Sequence, residues 1–155
     1  MTAFDALLDS NVVVAIVVDT HEHHAASLAL LTGPRPLRFA VSAHSYAEAY
    51  STLTRRGERA PFAFSAVQAW TVLTRLRALT GLVGLTAGQS FEVVGRYAAS
   101  GAVGARLYDA LIGGAAVAHG IPGIVTWNVG HMRGLFPGLE VVTPSAFFVG
   151  PAAGG

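Results

Sequence analysis

The chain has 155 residues, 52% of them hydrophobic, and a net charge of +1, which suits one ordinary domain with a sizeable core. All ten basic residues are Arg, which excludes a P-loop, whose Lys grips phosphate, and Schiff-base catalysis, which needs an amine. The absence of Cys removes disulfides, thiolate nucleophiles and zinc–thiolate sites and fits a reducing cytoplasm, the expected location, while the near-zero charge leaves any nucleic-acid contact to a local Arg cluster.

In chain order, Ala6-Leu7-Leu8 reads as a short buried strand ending at Asp9, with Ser10 or Asn11 able to cap the next helix. Residues 11–18 are apolar nearly all round and suit a buried helix, although their many Val residues leave a strand as the alternative. Asp19-Thr20-His21-Glu22 has the spacing of a helix start, with Asp19 as cap, opening an alanine-rich helix to about residue 31. The run Thr32-Gly33-Pro34-Arg35-Pro36 stops it. A second strand is expected over 37–42 and a helix over 44–56 ending at Gly57. After Arg59-Ala60-Pro61 come a helix over 63–79, a short strand or loop over 81–86, and an amphipathic helix over 88–99. Gly101 and Gly104 space a connection to a helix over 105–119; strand 124–126, a turn or short helix over 131–135, and strand 140–143 complete the pattern. Residues 1–149 form a single domain, and the Gly/Ala/Pro tail over 150–155 is expected to be disordered. Strands alternating with helices, without hairpin turns, predict an α/β fold: a mainly parallel sheet of four to five strands with helices on both faces.

The nine acids can be read one at a time. Asp5, Asp19, Glu22, Glu58, Glu92 and Glu140 lie beside breakers, caps or exposed faces and read as solvated. Asp9 stands where a strand ends, the edge at which open α/β sheets place ligand sites. Glu48 sits mid-helix among small and aromatic residues in Ser45-Tyr46-Ala47-Glu48-Ala49-Tyr50, and Asp109 sits early in the most apolar helix, in Leu107-Tyr108-Asp109-Ala110-Leu111-Ile112. A buried carboxylate needs a compensating cation. Arg55, Arg56 or Arg106 would supply one for any single acid; three acids in one place call for a hard divalent ion. Asn128, in Thr126-Trp127-Asn128-Val129-Gly130-His131, also lies just past a strand and offers an amide oxygen. The cluster His21, His23 and His24 reads as a solvated helix end and His44 and His119 as structural, while His131 is either packed or an RNA contact.

These four pieces, in this order and over residues 4–143, resemble the PIN-domain ribonucleases, and among them the VapC-like toxins of toxin–antitoxin pairs. Ser10 stands where that family often has Thr, and Asn128 where it often has Asp. The resemblance implies a PIN-like three-layer fold and a Mg²⁺- or Mn²⁺-dependent endoribonuclease. Asp9 and Asp109 would be the metal ligands, with Glu48 completing the acidic cluster or orienting water and Asn128 holding a water or phosphate oxygen. It further implies an RNA substrate, a VapB-like antitoxin partner and a homodimer. A catalytically weak PIN domain that binds RNA or protein is the alternative. A haloacid dehalogenase-type phosphatase would need an Asp where Asn11 stands and a Lys; a receiver domain needs the Lys too.

Overall fold

The structure, a computed structural model, describes residues 3–148. Strand β1 (Ala6–Leu8) occupies the middle of a five-stranded, all-parallel sheet of order β3-β2-β1-β4-β5, with β2 at Phe39–Ser42, β3 at Gly81–Val83, β4 at Gly123–Val125 and β5 at Glu140–Val142. Leu8 pairs with Val41 on one side and Val125 on the other. The chain order therefore reverses direction across the sheet at β1, and the carboxyl edge of that strand is the point where such sheets open a crevice.

Successive β1 side chains point to opposite faces. Ala6 and Leu8 join a core with helices α1 (Ser10–Val17), α2 (His24–Thr32), α3 (Ala43–Thr54) and α4 (Ala66–Leu79), while Leu7 joins a second core with Ile112, Ala115, Ile124 and Met132. The second layer holds α5 (Ala87–Ala99), α6 (Leu107–Ala118) and α7 (Val129–Leu135), and a last turn of helix, α8 (Pro144–Phe147), closes the described chain. The expected α/β architecture is thus observed, with five strands. The tail over 150–155 lies outside the described residues.

Burial decides α1. Val12 through Ile16 are all buried, so the apolar enclosure outweighs the weak helix propensity of Val and the strand alternative fails. The helix start expected at Asp19 does not form: 19–23 are turns and α2 begins at His24. The reason is tertiary. The His24 Nδ1 lies 2.9 Å from the Ala15 carbonyl, and the His23 ring stacks on Trp127 with centroids 3.9 Å apart, which holds this segment against α1 and the loop after β4. Reciprocal side-chain caps instead start α4, between Ser65 and Gln68, and α5, between Thr86 and Gln89. At Gly113 an added Cβ would run into the Phe136 ring, so the absent side chain lets the end of α7 close onto α6.

Candidate active site

Asp9 leaves β1 in extended conformation and is the N-cap of α1. Its Oδ1 accepts the Ser10 N–H at 2.7 Å, and its Oδ2 accepts the Thr126 hydroxyl at 2.7 Å. The capping role expected of Ser10 or Asn11 thus falls to the acid itself. Asn11 does something else: its Oδ1 accepts the Trp127 N–H at 3.1 Å and its Nδ2 donates to Thr126 Oγ1 at 3.1 Å. Thr126 Oγ1 also accepts the Asn128 N–H at 3.0 Å. With two donors aimed at it, the Thr126 hydroxyl has one proton to give, and it goes to Asp9. Asp9 is only 3% exposed.

Glu48 and Asp109 come from α3 and α6 and are half-buried. All three carboxyls are held above their ordinary values, first by burial. For Asp9 the bonds from Thr126 and Ser10 oppose that shift and the charge of Asp109 adds to it. His44 opposes it for Glu48, while Asp9 and Asp109 add to it. For Asp109, His131 and Arg106 oppose it. The fold therefore brings Asp9, Glu48 and Asp109 into one electrostatic neighbourhood. Among the described residues, no three Asp, Glu or His side chains converge tightly enough to hold a metal ion as they stand. The donor set is nevertheless of the right kind for a hard divalent cation: three carboxylates, each raised by burial, with Glu48 raised by both of the other charges. The Asn128 side chain is exposed and makes no side-chain cap on α7; its backbone N–H is what joins the Asp9 network.

No Arg among the described residues neutralises these acids by direct contact. The contacts at ion-pair distance there both involve imidazoles, His44–Glu48 at 3.0 Å and Glu22–His23 at 3.6 Å. The guanidinium groups hold loops instead. Arg56 donates to the Ala63 and Phe64 carbonyls at 2.9 and 3.2 Å, and Arg106 donates from Nη2 to His131 Nε2 at 3.0 Å. His131 is exposed, not packed. Of the cluster read as a solvated helix end, His21 Nδ1 accepts the His23 N–H at 3.0 Å, and exposed His119, read as structural, has Nε2 2.9 Å from the Gly84 carbonyl. Sequence reasoning misses Thr126 and Asn11, whose partners lie more than a hundred residues away and leave no local signal. It also misses the role of His44, although the i,i+4 spacing of this residue to Glu48 is visible in the sequence.

A parallel sheet whose central strand delivers a buried carboxylate to its carboxyl edge, with half-buried Glu48 on a flanking helix sensing its charge and that of Asp109, defines an α/β protein with acidic groups at its topological switch point. The chain belongs to the PIN-domain family, whose sequence model matches residues 6–128. Its structural neighbours are VapC toxins and toxin–antitoxin complexes. The VapBC complex of Salmonella typhimurium bound to DNA is 19% identical, with a TM-score of 0.64 over 91% of this chain and 98% of that one. VapBC2 of Rickettsia felis, bound to a promoter DNA fragment, is 19% identical, with a TM-score of 0.61 over 88% and 96%. VapC20 of Mycobacterium tuberculosis, a toxin that cleaves the sarcin–ricin loop, is 17% identical, with a TM-score of 0.60 over 77% and 86%. No curated protein matches the chain in sequence.

Proposed function

We propose that the protein is a Mg²⁺- or Mn²⁺-dependent endoribonuclease, the toxin of a VapBC-like pair. The observation that carries this reading is Asp9: a carboxylate 3% exposed, with no Arg partner among the described residues, pushed up by burial and by the charge of Asp109. A buried acid so placed favours a cation. Asp9 and Asp109 would hold the ion, with Glu48 at the rim of the same cluster. When bound, the ion lowers the pKa of water and neutralises charge on the phosphate under attack. The chain's own residues do the rest. Thr126 and the Ser10 N–H keep the Asp9 carboxylate in a fixed orientation, Glu48 orients the attacking water, and Asn128 holds a water or a phosphate oxygen. His131 and Arg106, beside Asp109, offer hydrogen bonds and positive charge to an RNA backbone.

The named toxin–antitoxin neighbours support a VapB-like antitoxin as partner. Exposed Trp70 and Leu82, in a groove of about 530 Å³ lined also by Tyr46, Tyr50 and Leu73, supply apolar surface for a protein partner or for a homodimer. No helix among the described residues is long and apolar enough to cross a membrane, which is compatible with a cytoplasmic site of action.

The test is calorimetry with Mn²⁺ together with RNA cleavage, on the wild type and on Asp9→Ala, Asp109→Asn, Asn128→Ala and Asn128→Asp. We expect Asp9→Ala to lose the metal and Asp109→Asn to lose cleavage while staying folded. Asn128→Ala is expected to keep metal and turn over slowly, and Asn128→Asp to tighten or add Mn²⁺ binding with cleavage present. Full cleavage by Asp109→Asn would sink the assignment. Loss of metal by Asn128→Ala as complete as in Asp9→Ala would make Asn128 a ligand of full weight. Metal binding without cleavage by the wild type would favour a catalytically weak PIN domain that binds RNA or protein.

A further inference from the structure

His44 lies one helical turn before Glu48 on α3. Its Nε2 and Glu48 Oε1 are 3.0 Å apart, within ion-pair distance but outside hydrogen-bond geometry; both atoms are hidden from solvent, and neither has a hydrogen-bond partner among the described residues. The other side of the imidazole faces α6: its ring stacks on Tyr108, centroids 5.5 Å apart and planes within 22°. Tyr108 is the residue immediately before Asp109. One imidazole thus spans the gap between the helix that carries the second acid and the helix that carries the third. The charges of Asp9 and Asp109 both act on Glu48, and His44 is the group that opposes them. Without it, a half-buried carboxylate with several rotamers would be pushed outward by its neighbours.

We propose that His44 is the positioning residue of the acidic site: it holds the Glu48 carboxylate in one rotamer against repulsion from Asp9 and Asp109, and through Tyr108 it ties that rotamer to the helix of Asp109. This deepens the nuclease reading and rests on it for the effect on turnover. The pair itself rests only on geometry. The imidazole touches neither substrate nor reacting atoms in this role; it acts through Glu48. Gln at position 44 places an amide N–H where Nε2 stands and can keep a polar contact to the Glu48 carboxylate; Ala cannot.

The experiment compares wild type, His44→Ala, His44→Gln and Tyr108→Leu, each first checked for folding by thermal melting. Two readouts are taken: kcat and KM for RNA cleavage in Mn²⁺, and the titration of the Glu48 carboxyl carbon by NMR in the metal-free protein. Misplacing a catalytic group by about 1 Å costs up to ~100-fold, so His44→Ala should lower kcat by about tenfold or more with KM changed less than about twofold, and His44→Gln should recover to within about threefold of wild type. Tyr108→Leu should fall between them. In the metal-free protein the Glu48 midpoint should rise in His44→Ala, because the group that opposes the shift is gone. A kcat for His44→Ala within about twofold of wild type, or equal impairment in the Ala and Gln variants, would overturn the proposal, as would an unmoved Glu48 midpoint. If the wild type cleaves no RNA, the nuclease reading fails, while the Glu48 titration still decides whether His44 holds that carboxylate.

Discussion

The Thr126 hydroxyl donates to Asp9 Oδ2 at 2.7 Å across 117 residues of sequence, and it joins the ends of two neighbouring parallel strands at the one fully buried acid of the site. Its two lone pairs are filled by Asn11 Nδ2 and the Asn128 N–H. Three bonds of this small network therefore meet at one oxygen.

Replacing Thr126 by Val keeps the shape and removes the hydroxyl. Asp9 loses a bond that favours its charged form, and two donors lose their acceptor. A buried donor left unpaired costs about 1–3 kcal/mol. The expected result is a melting temperature several degrees lower, with about 2–4 °C per kcal/mol for a chain of this size, and weaker Mn²⁺ binding. Thr126→Ser keeps the oxygen and should behave like wild type in both respects. Equal stability of the Val and Ser variants would show that the network is not held through this oxygen.

The pH dependence of stability arises from the raised carboxyls. Asp9 and Asp109 ordinarily titrate at 3.8 and Glu48 at 4.5, and all three stand higher in the folded protein, first because of burial. The folded chain then binds their protons more tightly than the unfolded chain does. Their contribution to stability is complete below the unfolded values and is lost as pH rises through the folded ones. Asp109→Asn removes one such group and one repelling charge. The melting temperature of the metal-free variant, relative to wild type, is therefore expected to climb as pH goes from about 4 to neutrality. Saturating Mn²⁺ should raise wild type more than the variant. A difference that shrinks with rising pH would contradict the shared repulsion.

Arg55, Arg56 and Arg59 form the densest basic stretch of the chain, but they are not equivalent. All three are exposed, but Arg56 is tied to the carbonyls of Ala63 and Phe64. Arg55→Gln combined with Arg59→Gln should weaken RNA binding by the Asp109→Asn protein and flatten its dependence on salt by about 0.7 for each phosphate no longer neutralised. Arg56→Gln should instead lower stability by loosening the loop that leads into α4. Anisotropy titrations of labelled RNA at several salt concentrations separate the two. An unchanged slope in the double variant would mean that this end of α3 does not contact RNA.

The sequence by itself determined the alternation of strands and helices, the isolation of Asp9, Glu48 and Asp109 from the solvated acids, and the family. These are carried by local pattern: apolar runs bounded by Gly and Pro, and single carboxylates set in apolar stretches. Tertiary structure alone decided that Thr126 and Asn11 serve Asp9, that the imidazoles of His23 and His24 find partners on Trp127 and the Ala15 carbonyl and so displace the helix start suggested at Asp19, and that Arg56 braces a loop rather than neutralising an acid. A cap or a periodic face is a property of neighbours within a turn or two and is legible in order along the chain. A buried hydroxyl is satisfied by whichever strand the sheet places beside it, and here that strand was more than a hundred residues away.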